Sequence, residues 1–189
     1  NATSRPKVQI LADKLDRPLA LVRGPDGMVY IGESDHIWRT PVPTAGQPIQ
    51  PHTVLDQLPN DGAHPLKEIT FGLDGSLYIN MGAVTDRCQD ASGKLPQPCP
   101  EREAMQFRAA VWRAVLRSPQ TEGKPPVQQF APFALGLRNS VALATVPDGP
   151  AAGSLWQGEN NIDYRDKDAP PEELNELVAG GDYGWPYCT

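Results

Sequence analysis

Hydrophobic and polar positions along this chain alternate in short runs, and the runs come in pairs. "RPLALVRGPDGMVYIGES" from Arg17, "HPLKEITFGLDGSLYINMG" from His64 and "NSVALATVPDGPAAGSLWQGEN" from Asn139 share one plan: an alternating run, an Asp-Gly pair, then a second alternating run. Alternation with period two is the signature of half-buried strands. Asp-Gly suits a tight turn, because glycine takes positive φ without penalty and aspartate bonds to the nearby backbone. Each segment therefore predicts an antiparallel hairpin.

The first two segments continue into "HIWRT" and "AVWRAVL", which predict a third strand carrying a Trp-Arg pair. "HTVLD" around Val54 and "PVQQF" around Val127 predict a fourth. Four short strands in meander order, repeated, are the sequence form of a β-propeller blade. The expected fold is all-β, an incomplete propeller of about three blades, over residues 15–60, 64–132 and 134–189. Three unrelated hairpins in a β-sandwich are the alternative, and the recurrence of Pro-Leu, Asp-Gly, Tyr and Trp-Arg in the same order weighs against it. Propellers close with roughly four to eight blades, so three do not close a ring. The Gly-aromatic run "GGDYGWPYC" at the end then looks built to pack against more chain. One stretch invites a helix: "DAPPEELNELVAGG" has prolines at a start, glutamates in a first turn and glycines at a stop, which predicts a short helical turn or a capped loop.

Composition agrees with short strands and turns: the 189 residues include 21 prolines and 17 glycines. The net charge is -6 and the basic residues are scattered, which removes the electrostatic basis for nucleic-acid binding. No apolar run approaches the roughly 18 residues of a membrane span, and no signal-peptide pattern opens the chain, so an exported form would be a mature one. The loop between Cys88 and Cys99 is full of turn formers, which suits a surface disulfide in a periplasmic or secreted protein. Three free thiols in a reduced protein are the alternative. Cys188 is left without a partner, and no spacing suggests zinc.

His64 stands just ahead of a predicted inner strand, where a side chain would face a propeller axis, and an imidazole there can serve as a base near neutral pH. A hydrogen-bonded structural histidine is the plainer reading, and His36 and His52 carry less. Arg138 and Asn139 in "GLRNS" hold the position before the third repeat that His64 holds before the second. Such an arginine can bind an anion bidentately and such an asparagine can orient an oxygen, although the pair could equally tie one loop to its neighbour. The oxygen-rich loop "GENNIDYRDKDAPPEELN" suits a hard cation such as calcium but lacks EF-hand spacing. Nicotinamide, nucleotide and hydrolase motifs are absent from the sequence.

In this order, "HPLKEITFGLDGSLYINMG", "GLRNS", "GEN" and "EELNELVAGGDYGWPYC" resemble the glucose/sorbosone dehydrogenase family of soluble quinoproteins, from about Leu15 onward. The resemblance implies a six-bladed propeller holding pyrroloquinoline quinone (PQQ) and calcium on its axis, of which this chain would be the N-terminal half. It implies a sugar or aldehyde as substrate, an external electron acceptor, and remaining blades supplied by a C-terminal half or another chain, with a downstream partner for Cys188. It implies that His64 takes the sugar hydroxyl proton as hydride passes to the quinone, that Arg138 and Asn139 lie at the cofactor, that calcium sits on backbone carbonyls of Asn160, Asn161 or Ile162, and that the basic residues gripping the cofactor carboxylates come from later blades; Lys67, next to the His64 strand, is the one candidate in this chain to help hold the cofactor. The sequence departs from the family at Ala63, where better-known members have an acidic residue, and at Ala83 and Val84, where an amide is usual. A propeller of this family that only binds a partner, and a calcium-dependent lactonase, are the competing functional readings.

Overall fold

The computed structural model describes residues 8–44, 46–102, 108–117, 126–163 and 170–188. Among the described residues, eleven strands form three antiparallel sheets. The first contains β1 (Ala20–Arg23), β2 (Val29–Gly32), β3 (Ile37–Thr40) and β4 (His52–Leu55). The second contains β5 (Ile69–Phe71), β6 (Leu77–Met81), β7 (Ala110–Leu116) and β8 (Val127–Leu135). The third contains β9 (Ser140–Thr145), β10 (Leu155–Glu159) and β11 (Glu173–Leu177). In every sheet, strands adjacent in sequence are adjacent in space, the up-and-down order expected of the repeats.

The first two Asp-Gly turns close in the same way. Gly24 N–H donates to Met28 O over 2.8 Å and Gly72 N–H to Ser76 O over 2.9 Å. Gly27 and Gly75 sit at φ 79° and 77°, the left-handed region where a β-carbon is penalised. The Trp-Arg pairs then lock onto these turns. Tyr30 lies opposite Arg39 and Tyr78 opposite Arg113 in the strand registers. Arg39 Nη1 donates to Asp26 Oδ2 at 2.8 Å, and Arg113 Nη2 to Asp74 Oδ2 at 2.5 Å. Trp38 and Trp112, one residue earlier in each pair, point the other way and are buried. The motif that repeats in sequence is thus a turn aspartate held by an arginine two strands on, with its tryptophan neighbour in the core.

Alternation decides how the sheets stack. Leu77, Ile79 and Met81 on β6 join Tyr30, Ile37 and Ile69 in a core between the first and second sheets. Tyr78 on the opposite face of the same strand joins Val111, Leu143, Leu155 and Leu177 between the second and third. The second sheet is therefore covered on both faces. At one edge of the stack β5 lies beside both β1 and β9, so the first strands of the three sheets run together.

One expectation is corrected. Residues Glu173–Leu177 form β11, not a helical turn, and pair with β10 from Glu159 opposite Glu173 to Leu155 opposite Leu177. A five-residue segment gains little as an isolated helix, whereas extended it supplies backbone partners to β10 and buries Leu177. The terminal Gly-aromatic run also packs at home: Trp185 is buried with Cys88, Cys99 and Ile162, and its indole N–H donates to Asp86 O at 3.0 Å.

Cys88 and Cys99 are bonded, with Cα atoms 6.2 Å apart, and Cys188 is a free, exposed thiol. Glu101, just after the bridge, accepts from Val84 N–H at 2.6 Å, Thr85 N–H at 3.2 Å and Thr85 Oγ at 2.6 Å. The bridge thereby anchors the loop at residues 83–86. Replacing both bridged cysteines with serine is expected to lower stability by about 3 kcal/mol, from the chain entropy of a loop of this size. Chemical denaturation of the two forms checks this.

Candidate functional site

His64 leads into β5 and is 8% exposed. Its Nδ1 lies 2.8 Å from the carbonyl oxygen of Ala83. A carbonyl only accepts, so Nδ1 carries the proton and Nε2 is left with its lone pair. Burial holds the imidazole below its ordinary pKa, and the Arg138 charge adds to the effect against the Ala83 hydrogen bond. The ring is a neutral base with its reactive nitrogen defined by the backbone.

The second contact that fixes His64 is steric. A β-carbon on Gly82 would stand 2.6 Å from His64 Cβ and 2.7 Å from His64 O. Glycine is required here for close approach rather than for its φ. Gly82→Ala is expected to displace the imidazole and break its contact with the Ala83 carbonyl; the histidine NMR signals and the melting curves of the two forms check it.

Arg138 is 1% exposed and sits immediately ahead of β9. Its Nη1 donates to Asn160 O at 2.7 Å and to Asn160 Oδ1 at 3.1 Å, and its Nη2 lies 2.5 Å from Asp86 Oδ1 and 3.2 Å from Asp163 Oδ2. Its Nε is buried with no hydrogen-bond partner. An unsatisfied donor on a buried guanidinium is costly, and an acceptor oxygen placed beside it would remove that cost. Ala83 joins this residue to the histidine: its N–H donates to Arg138 O at 2.7 Å while its carbonyl accepts from His64.

Asn139 shares a cavity of about 340 Å³ with His64. Its backbone N–H donates to Glu159 Oε1 at 2.9 Å, and its carbonyl accepts from Asn160 N–H at 3.0 Å. Glu159 is buried at the end of β10, and that burial pushes its carboxyl up to about 7 against the hydrogen bonds it accepts. The strand end at Glu159–Asn160 thus clamps Asn139 by its backbone and Arg138 by its guanidinium.

The remaining expected site residues fare differently. Lys67 is 1% exposed and does not line the cavity; its Nζ donates to Pro59 O at 2.7 Å and to Pro65 O. Burial, reinforced by the Arg108 and Arg17 charges, pulls its ammonium down to about 7. It fastens the loop before His64 and is not brought to the site as a cofactor ligand. Asn160 is committed to Arg138. Asn161 N–H donates to Glu172 Oε2 at 2.7 Å, and Ile162 is buried against Trp185 and the disulfide. Of the three carbonyls expected to hold calcium, that of Asn160 already faces a guanidinium. The two others fall short of the six to eight oxygens that calcium takes. Among the described residues no group of three His, Cys, Asp or Glu side chains could hold a metal. These residues by themselves do not complete a calcium coordination sphere. PQQ, a planar acceptor-rich anion, would find a donor in the unpaired Nε of Arg138 and would leave the lone pair of His64 Nε2 free.

Asp86, Glu101 and Glu159 are not legible as site residues in the sequence, since they act from a loop, a short 3-10 turn (Pro100–Arg102) and a strand end through contacts distant in sequence. A larger cavity of about 420 Å³ lies elsewhere, beside His36 and Trp38. Its buried carboxylate, Glu33, is already satisfied by Trp38 Nε1 at 2.6 Å and Asp16 N–H at 2.5 Å.

No protein-family model and no curated protein matches the chain. Solved structures do. The calcium structure of a carbohydrate-active enzyme of family AA12 from Trichoderma reesei superposes with a TM-score of 0.67 at 19% identity, over 88% of this chain and 43% of that one. The holo PQQ domain of pyranose dehydrogenase from Coprinopsis cinerea gives 0.61 at 15%, over 93% and 55%. The PQQ-bound aldose sugar dehydrogenase from Streptomyces coelicolor gives 0.51 at 18%, over 95% and 65%. The chain spans roughly half the length of these proteins. Its sheets follow the fold of PQQ-dependent sugar dehydrogenases and AA12 proteins, the kind of neighbour that the sequence resemblance pointed to.

Proposed function

We propose that this chain is part of a PQQ-dependent oxidoreductase that oxidises an aldose or a related sugar or aldehyde, with its three sheets as three blades of a propeller ring completed by further polypeptide. The observation that carries the reading is His64: its tautomer is set by the Ala83 carbonyl, its Nε2 is unprotonated, and it shares a cavity with Asn139 one covalent link from the half-satisfied guanidinium of Arg138.

His64 Nε2 removes the hydroxyl proton of the substrate carbinol, and burial keeps it neutral and ready to do so. Arg138 would help to hold the cofactor, and its guanidinium would place positive charge where negative charge develops. Asn139 orients an oxygen at the cavity wall. PQQ, when bound, supplies the two-electron acceptor that no side chain can provide. Calcium, if used, would take carbonyls such as those of Asn161 and Ile162 and most of its oxygens from outside this chain. The disulfide supports a periplasmic or secreted location.

The test is reconstitution of the full-length protein with PQQ, with and without calcium, followed by reduction of an artificial electron acceptor on addition of an aldose. Turnover that depends on PQQ supports the reading. Failure of a folded full-length protein to bind PQQ at micromolar levels would return the scaffold to a binding role.

A further inference from the structure

Arg17, His64 and Asn139 hold corresponding places in the three repeats, nine, ten and nine residues ahead of the aspartate of the Asp-Gly turn. Two residues after each comes an apolar one: Leu19, Leu66 and Val141. All six line the single cavity described above. The pocket is thus built from equivalent repeat positions, and each sheet contributes one polar and one apolar side chain. The second and third polar positions are the base and the amide of the proposed site. The first is a guanidinium.

Among the described residues no carboxylate lines this cavity, and Arg17 is the permanently charged residue in its wall. The spot is positive on a chain whose net charge is -6, so it selects for anions against its background. The charge also reaches the ammonium of Lys67 beneath the cavity, whose proton it helps to loosen. Arg17 is only lightly held: its Nε is 3.4 Å from Asp16 Oδ1, both side chains are about half exposed, and Asp16 also accepts from Ser34 Oγ. Such an exposed pair stabilises little. Among the described residues the terminal Nη groups of Arg17 have no partner, which leaves free the fork that recognises a carboxylate bidentately.

We propose that Arg17 is the anion-gripping residue of the His64 cavity and that the ligand entering this cavity carries a carboxylate. The inference rests on the oxidoreductase reading for the identity of the probes. The carboxylate could belong to the cofactor or to a sugar-acid substrate, and the two sources separate experimentally.

In the full-length protein, equilibrium binding of PQQ, D-glucuronate and D-glucose is measured by titration for wild type, Arg17→Gln and Arg17→Lys at low and high salt. Arg17→Gln should weaken a carboxylate ligand about tenfold, as expected for one lost charge-assisted contact, and flatten the salt dependence of its binding. Arg17→Lys should recover part of the loss, and glucose should be unaffected. A loss confined to PQQ assigns the carboxylate to the cofactor, and a loss confined to glucuronate assigns it to the substrate. Unchanged affinity for both in a variant that melts like wild type overturns the proposal while leaving the oxidoreductase reading intact. A wild type that binds neither probe overturns both.

Discussion

His64→Ala in the PQQ-reconstituted full-length protein is expected to reduce kcat by about 10²- to 10⁴-fold, the range that a positioned base contributes, while PQQ still binds. The pH profile of the wild type carries the same information. Burial favours the neutral imidazole, so the base stays competent below the ordinary histidine pKa of about 6.5. The rate should hold level as pH falls through that value and drop only at lower pH, where the folded-state imidazole finally takes a proton. A break above 6.5 would mean that His64 is not the titrating base. Stability has a matching sign: the unfolded chain binds the proton more readily than the folded one, so this residue's contribution is present above the unfolded pKa and is lost as pH falls through the folded one.

Arg138→Ala is expected to be the most destabilising single change at the site. The guanidinium is buried while it holds Asn160, Asp86 and Asp163. Its removal leaves a cavity and orphans the Asn160 carbonyl. Breaking a fully buried pair costs about 3–5 kcal/mol. Asp163 and, in part, Asp86 reach solvent and can rehydrate, which brings the expected loss to about 2–3 kcal/mol. Arg138→Lys should recover some of this, because a cation is kept, yet a single ammonium cannot span the three partners and present a further donor to a ligand. The variant is expected to be folded but defective in PQQ binding. Denaturant titration and PQQ titration of both variants check the two halves separately.

The repeats were legible because their chemistry is local. An Asp-Gly turn, an alternating strand and a Trp-Arg pair each fit within a few residues, and Asp26–Arg39 and Asp74–Arg113 show that the pattern reads out as one repeated contact. Residues 173–177 were misread because Pro-Pro-Glu-Glu imitates a helix start, and only the unpaired edge of β10 reveals the better use of that backbone. His64 and Asn139 were legible from their shared place ahead of a repeat. Arg17 occupies the corresponding place in the first repeat, where Arg17-Pro18-Leu19 parallels His64-Pro65-Leu66. Lys67 is close to His64 in sequence, but it lies ahead of β5 and its ammonium is taken by the Pro59 and Pro65 carbonyls. The supports of the site, Glu101 through Val84 and Thr85, Asp86 through Arg138, and Glu159 through Asn139, depend on contacts across loops that no local pattern encodes.

A crystal structure of the full-length protein soaked with PQQ examines the account at its centre. The cofactor should lie in the cavity between His64 and Asn139, with one oxygen accepting from Arg138 Nε and the imidazole Nε2 left free to meet substrate. PQQ bound on another face of the stack, or a cavity that stays closed while the protein turns over, would contradict it.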